Sequence, residues 1–192
     1  SVDRFWRIPH FEKMLYDNAQ LASVYSEAYA LTGDVSYRRV TEELLDFTLR
    51  EMRDPQGGFY SAIDAETDAE EGKFYRWELK EVQEVLSEDA FSRLAPIYSF
   101  SGSPNFNHEG HAYYVLQLSD SLAKLAADRG LTTDQLEKSI APSLEKLLAA
   151  RSAKKRPLTD TKILTAWNGL MIRGFADAGR IFEEDRYLEE AI

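Results

Sequence analysis

The segment PHFEKMLYDNAQLASVY, Pro9–Tyr25, decides the fold of this chain because its apolar residues recur with the period of one long helix. At 100° per residue, His10 and Asp17 lie at one edge of a broad apolar sector, about 10 Å apart along the helix axis. Asn18 falls inside that sector, so we expect a polar network around its buried amide. The segment therefore predicts a pocket in which His10 and Asp17 contact one ligand the size of a sugar. The apolar sector consists of Phe11, Met14, Leu15, Ala22, Tyr25 and Tyr29.

The amino-acid composition excludes several classes of function. The chain has 192 residues, a formal net charge of −10 and no cysteine. A strongly acidic chain is unsuited to non-specific binding of nucleic acid or anionic membranes, and the lack of cysteine excludes disulfides and thiolate chemistry. We expect a cytoplasmic protein. Because the chain begins and ends without start or stop signals for its helices, we also expect a piece of a larger protein.

Helical hairpins dominate the rest of the pattern. Gly33 is suited to cap the first helix and Asp34 to start the second. Phe59–Ile63 and Lys73–Trp77 have strand character and are expected to form a two-stranded excursion around the acidic loop DAETDAEEG. The polar loop SGSPNFNHEGH precedes a further short strand at Ala112–Leu116. The other predicted helices are Val35–Arg53, Glu78–Leu86, Ala90–Tyr98, Ser119–Arg129, Thr133–Ser152, Ile163–Phe182 and one starting near Asp185.

The chain also contains a weak internal repeat. A shift of 150 residues places Asn18 on Asn168 and Tyr37 on Tyr187, and it matches apolar positions throughout the first helix. Repeated helix hairpins are the building units of helical toroids and solenoids.

Three blocks of sequence resemble a known family. The first is Ser1-Val2-Asp3 and Trp6 followed by PHFEKMLYDNAQL, the second is GGFYSAIDAETDAEEGKFYRW, and the third is KRPLTDTKILTAWNGLM. Together they are similar to the YyaL-like or spermatogenesis-associated protein 20 family. The third block departs from the family pattern at Thr161, and NFNHEGHAYYVL around His108 matches only loosely.

The resemblance implies an all-α fold, part of an (α/α)6 toroid of the six-hairpin glycosidase kind with short β-hairpin excursions. Residues 1–192 would form a single fragment of that toroid, and the family's N-terminal thioredoxin-like domain would be absent from it. In toroids of this kind, the ends of the inner helices line a central pocket.

The first candidate site contains His10, Glu12 and Asp17. Sugar epimerases of related shape use histidines to move a proton beside a carbonyl, so His10 is a candidate acid/base and Asp17 a candidate ligand for hydroxyl groups. The structural alternative is that His10 caps the helix and Asp17 pairs with a neighbouring loop.

The other candidates come from the second and third blocks. Asp64 begins the acidic loop beside a predicted strand, where a carboxylate is suited to glycoside hydrolysis. Asp160 and Lys162 precede a predicted helix, and Trp167 offers an aromatic face for sugar stacking, although tryptophan is more often a core residue. Asn18 and Asn168 are assigned mainly to structure, bonding backbone groups that irregular loops leave unpaired.

We expect no cofactor and no metal. The acidic loop lacks the glycine and the closing glutamate of a calcium hand, and His108-Glu109-Gly110-His111 is too short for the helical zinc motif. We expect it to be a surface loop.

Two function hypotheses follow. The first is a carbohydrate-related domain that binds, isomerises or hydrolyses a sugar-like ligand, as an epimerase or a glycosidase does. The second is a non-catalytic scaffold that binds a partner such as the thioredoxin-like domain. A partial ring leaves apolar faces open, so self-association is also expected.

Overall fold

The computed structural model describes residues 3–4 and 7–192, so Ser1, Val2 and Trp6 of the first sequence block lie outside the described residues. The described chain is mostly helical, with short antiparallel strands, as predicted. It divides into two compact units. One contains the described residues up to Phe11 together with Glu66–Arg156, and the other contains Glu12–Ala65 with Pro157–Ile192.

The unit Glu12–Ala65 with Pro157–Ile192 consists of two helix pairs and one small sheet. The helices are α1 (Leu15–Thr32), α2 (Val35–Glu51), α7 (Thr165–Phe182) and α8 (Asp185–Glu190). The sheet has the order β1 (Lys13–Met14), β2 (Ala62–Ile63) and β8 (Thr159–Asp160), each pair antiparallel.

The caps between α1 and α2 agree with the sequence. Gly33 has a φ of 70° and its N–H donates to the Tyr29 carbonyl at 2.8 Å. The Asp34 carboxylate accepts from the Ser36 N–H at 2.9 Å. These local hydrogen bonds pair backbone groups at the end of α1 and the start of α2. Because they involve only neighbouring residues, the sequence pattern is enough to locate the turn.

The internal repeat is confirmed by the helix bounds. The bounds of α1 and α7 differ by 150 residues at both ends, and α2 and α8 begin with the same offset. The two repeat helices α1 and α7 lie side by side and run parallel. Tyr16 contacts Trp167 near their starts, and Tyr29 contacts Phe182 near their ends.

The start of α1 corrects the sequence prediction. A helix was expected from Pro9, but α1 begins at Leu15 because Lys13 and Met14 pair with Ile63 and Ala62 in the sheet. Phe11 does not join the apolar face of α1. Instead, it packs in the other unit against Tyr75 and Phe106, with ring centroids 5.8 Å and 5.6 Å away.

The unit containing Glu66–Arg156 is organised around α6 (Thr133–Ser152), whose bounds match the prediction. Leu136, Ile140 and Leu147 of α6 are buried in its core with Val82 and Leu94. The remaining helices of this unit are α3 (Leu79–Val85), α4 (Glu88–Leu94) and α5 (Leu122–Ala127).

The strands of this unit pair differently from the prediction. The acidic loop forms its own hairpin, β3 (Glu66–Thr67) with β4 (Glu70–Glu71). The strand β5 (Arg76–Trp77) pairs with β7 (His111–Val115), and β7 pairs with β6 (Phe106–His108). The predicted excursion of Phe59–Ile63 with Lys73–Trp77 is therefore wrong, because each segment finds a partner distant in sequence.

The His108-Glu109-Gly110-His111 segment is at the surface, as predicted, and forms a tight hairpin turn. His108 and His111 are paired residues of β6 and β7, and the two residues between them have φ values of 49° and 81°. Two successive positive φ values are typical of two-residue hairpin turns, which explains the glycine at Gly110.

Tyr187 is expected to make the stability of the unit that contains α1 and α7 depend on pH. It has no exposed surface, and burial raises the pKa of Tyr187 to about 12, with a further contribution from Asp46. Tyrosine in the unfolded chain ionises near pH 10, so the stabilisation is complete below about pH 10 and is lost as the pH rises towards 12. We expect thermal melts to show a smaller loss of Tm over this range for Tyr187→Phe than for the unmodified chain. Equal losses of Tm in the two proteins would contradict this role of Tyr187.

Of the residues that the structure describes, none belongs to a helix with the length and hydropathy needed to cross a bilayer.

Candidate ligand-binding site

The sheet β1–β2–β8 holds three of the predicted acidic residues. Glu12 directly precedes β1, Asp64 directly follows β2, and Asp160 is the last residue of β8. Lys13 pairs with Ile63, so extending this register by one residue places Glu12 opposite Asp64.

The pleat of the sheet directs these three carboxylates to the same side. Ala62 pairs with Asp160, and Asp64 lies two residues after Ala62 along the chain, so its side chain is expected on the same face as that of Ala62. Because directly opposed and alternate residues share one face of a sheet, Glu12, Asp64 and Asp160 are expected on that face. The backbone N–H of Asp64 donates to the Leu158 carbonyl at 2.8 Å, which fixes its position beside β8.

Asp160 is anchored through both its backbone and its side chain. Its carbonyl accepts from the Ser61 N–H and hydroxyl, each at 3.1 Å. Its carboxylate accepts from Lys162 Nζ at 2.9 Å and from the Lys162 N–H at 3.3 Å. These bonds lower the pKa of Asp160 below its ordinary value, so it is an ionised acceptor at neutral pH rather than a proton donor.

Two aromatic residues of the same compact unit lie at the starts of α1 and α7. The rings of Tyr16 and Trp167 pack edge to face with centroids 4.9 Å apart. Both side chains are half-buried, which leaves part of the indole open to solvent. Asp17 follows Tyr16 in the first turn of α1 and is exposed.

The two repeated asparagines differ in their hydrogen bonds. Asn18 Nδ2 donates to the Met14 carbonyl at 2.8 Å, a bond within the first turn of α1. Asn168 makes the corresponding bond to Leu164 and also accepts from the Phe59 N–H at 2.8 Å and donates to its carbonyl at 3.0 Å. The structural role predicted for Asn168 is confirmed. Asn18 also bonds a backbone carbonyl, but it is half-buried and its hydrogen bond is local.

Six of the seven predicted residues lie in one compact unit, in or next to the sheet β1–β2–β8 and the first turns of α1 and α7. Four of them are exposed to solvent, while Asp160 and Trp167 are half-buried. The six residues are Glu12, Asp17, Asp64, Asp160, Lys162 and Trp167.

The position of His10 differs from the prediction. It is exposed, lies before β1 rather than in α1, and belongs to the other compact unit. The geometry expected of a continuous helix carrying both His10 and Asp17 is therefore wrong.

Most of the acidic loop that follows Asp64 has a structural role. Asp68 pairs with Lys155 and Lys73, and Glu70 pairs with Lys73 and Arg76. These partners lower the pKa values of both carboxyls. Within residues 3–4 and 7–192, no group of three His, Asp or Glu side chains is arranged to hold a metal ion.

Sequence reasoning missed Tyr16, the partner of Trp167. The available signal was the repeat itself, because residues near equivalent positions of two parallel helices become neighbours when those helices pack together. The tyrosine lies next to Asp17 in sequence and would have been found by pairing the starts of the two repeats.

Fold and site together define a mostly helical domain of repeated helix pairs, with acidic residues on one face of a small sheet and an aromatic pair at the starts of two parallel helices. Over its whole length, the chain is 38% identical to spermatogenesis-associated protein 20 of Homo sapiens and 37% identical to that of Mus musculus. It is also 32% identical to an uncharacterised protein of Caenorhabditis elegans. The predicted resemblance is confirmed: over its whole length the chain is similar to part of spermatogenesis-associated protein 20.

The match covers only part of these relatives. The chain spans 27% of the length of the human protein and 29% of the nematode protein. No protein-family model matches the chain.

Proposed function

We propose that this domain binds a sugar-like ligand at the N-terminal ends of α1 and α7. The observation that carries the proposal is the sheet β1–β2–β8, whose register places Glu12, Asp64 and Asp160 on one face, in the same compact unit as the Tyr16–Trp167 pair. Ionised carboxylates accept hydrogen bonds from sugar hydroxyls, and the open part of an indole provides an apolar surface for the ring.

Each residue has a distinct role in this proposal. Trp167 is the stacking platform, and Asp64 and Asp17 accept hydroxyl protons in hydrogen bonds. Asp160 and Lys162 form an ion pair that offers both an acceptor and a donor. Isomerisation or hydrolysis would additionally need a group that gives up a proton, and the lowered pKa of Asp160 makes it unsuited to that step.

We further infer that the pairs α1–α2 and α7–α8 are two hairpins of an (α/α)6 toroid. The parallel packing of α1 and α7, each followed by a second helix, supports this arrangement. A cytoplasmic location remains a prediction from composition.

A thermal-shift screen of neutral sugars tests the binding proposal. We expect at least one sugar to raise the Tm and Asp64→Asn or Asp17→Ala to weaken its binding by about tenfold or more, because hydroxyl recognition depends on these acceptors. Both side chains are exposed, so the variants should fold normally.

Glu189→Gln is the matched control, since Glu189 is an exposed carboxylate on α8 outside the candidate site. It should bind the sugar as the unmodified chain does. His10→Ala separates the revised site from the original hypothesis and is expected to have no effect. Absence of any response across the sugars would overturn the proposal.

A second candidate function is partner binding, and exposed apolar side chains favour it. Leu31 is 86% exposed, Leu158 74% and Val35 65%. Such groups are typical of surfaces that pack against another protein or another part of a longer chain. A thioredoxin-like domain is one partner that the family resemblance suggests.

These apolar side chains also predict self-association of the 192-residue chain. We expect light scattering to report a mass above 21.9 kDa that increases with concentration. Leu31→Lys should reduce the association, because it places a charge on the apolar surface. A monomer at all concentrations would contradict this prediction.

A further inference from the structure

A cavity of about 290 Å³ lies in the unit Glu66–Arg156. Four cationic side chains line it: Lys73, Arg76, Lys154 and Lys155. A cavity of this size approaches the volume of small-molecule sites in proteins. The same lining contains two carboxylates, Glu78 and Glu81.

Arg76 is the central cation of this cavity. Its side chain is only 7% exposed, and its guanidinium carbon lies 4.1 Å from the centre of the Tyr113 ring. Nη2 pairs with Glu70, but in the described part of the chain the buried Nη1 has no hydrogen-bond partner. A buried guanidinium nitrogen without an acceptor is costly, so its presence indicates that a ligand provides one.

Thr67 supports the same conclusion independently. It lines the same cavity, is 5% exposed, and its Oγ1 has no hydrogen-bond partner among the described residues. Two buried groups able to donate, one charged and one neutral, thus share one cavity.

The two carboxylates that line the cavity are already engaged. Glu81 accepts from the Glu78 N–H at 2.8 Å and pairs with Lys154 at 3.0 Å. The Glu78 side chain accepts from the backbone at the start of α3, which completes a capping box. Neither carboxylate is therefore an acceptor for Arg76 Nη1.

Lys155 can transfer to a ligand at low cost. The Lys155 side chain is 73% exposed and pairs with Asp68, which is itself 40% exposed. Lys73 is 38% exposed and pairs with the same aspartate at 3.3 Å. Exposed ion pairs of this kind are weak, whereas a phosphate oxygen forms charge-assisted bonds to several cations at once.

We propose that this cavity binds a small oxyanion, a phosphate or a phosphate monoester, through Arg76 Nη1, Thr67 Oγ1 and the Lys155 ammonium. Arg76 provides a planar donor in a desolvated position, Thr67 a neutral donor, and Lys155 a mobile charge at the rim. The site lies in the unit Glu66–Arg156 and is independent of the sugar-like ligand proposed for the other unit.

Calorimetric titration of the 192-residue chain with inorganic phosphate, at ionic strength held constant with sodium chloride, tests this proposal. We expect saturable binding of one phosphate per chain. Titration with glycerol phosphate then distinguishes the source of the group: tighter binding indicates a phosphate monoester and equal binding indicates free phosphate. Both results support the oxyanion site, and no saturable binding of either anion overturns it.

Thr67→Val is the decisive variant because it keeps the shape of the side chain and removes only the unpartnered hydroxyl. It is expected to weaken phosphate binding by about tenfold while leaving the Tm unchanged or raised. A purely structural hydroxyl would show the opposite pattern, with a lowered Tm and unchanged phosphate binding, and that pattern would overturn the proposal.

Lys155→Ala provides a second variant at an exposed position, and it should weaken phosphate binding without unfolding the protein. Lys80→Ala is its control, since Lys80 is an 82% exposed lysine of α3 that does not line the cavity. Equal losses of binding in the two lysine variants would show a non-specific charge effect and would contradict the site.

Discussion

Replacing Asn168 with alanine is expected to lower the free energy of unfolding by about 2–4 kcal/mol. The side chain is the hydrogen-bond partner of both the N–H and the carbonyl of Phe59, at 2.8 Å and 3.0 Å. Phe59 is only 6% exposed and packs on Phe175 in the core, so water does not readily replace these bonds. Urea denaturation followed by circular dichroism measures the loss as a lower midpoint.

Asn18→Ala is the matched control. It removes the corresponding asparagine of the first repeat, whose side chain bonds the Met14 carbonyl within the first turn of α1. Only a local bond is lost, so the expected cost is about 0.5–1.5 kcal/mol. If the two variants were equally stable, the hydrogen bonds between Asn168 and Phe59 would not contribute to stability as proposed.

Replacing Gly174 with leucine is expected to destabilise the protein by roughly 3 kcal/mol, at the upper end of the usual loss in overpacked cores. A Cβ at this position would lie 3.0 Å from the Ala19 carbonyl oxygen and 3.1 Å from the Ala22 Cβ. These neighbours belong to the rigid helix α1, so the larger side chain forces α1 and α7 apart. The same urea measurement detects the change.

Gly169→Leu tests whether the effect depends on the helix contact. Gly169 lies in the same helix, but a Cβ there meets no atom of the described part of the chain within 4 Å. Leucine favours the helix more than glycine does, so this variant is expected to gain about 0.5–1 kcal/mol. A loss of stability at Gly169 comparable with that at Gly174 would refute close packing of α1 and α7 as the cause.

The contrast between Asn168 and Asn18 also shows how far the repeat could be used before the fold was known. The offset of 150 residues correctly matched the bounds of α1 and α7 and paired the two asparagines. It did not show that only Asn168 reaches a second segment. That difference depends on Phe59, a residue 109 positions away in sequence from Asn168.

The candidate site likewise combines residues that the sequence identifies with an arrangement that depends on the tertiary structure. Asp64, Asp160 and Trp167 were identified as candidates from residue type and local context. Their assembly required β2 to pair with both β1 and β8, and two-residue strands leave almost no periodic signal in a sequence. His10 was misplaced because the helical period continued through Lys13 and Met14, where sheet pairing overrides it.

The sequence by itself determined the features that depend on neighbouring residues. It located the turn at Gly33 and Asp34, the bounds of α6 and the repeated helix pairs, because caps and apolar periodicity act within a few residues. The tertiary structure alone decided where α1 begins, which short strands pair, and which buried groups around Arg76 have no hydrogen-bond partner among the described residues. These features depend on contacts between segments far apart in the chain. The free energy of such contacts cannot be predicted from a local pattern of residues.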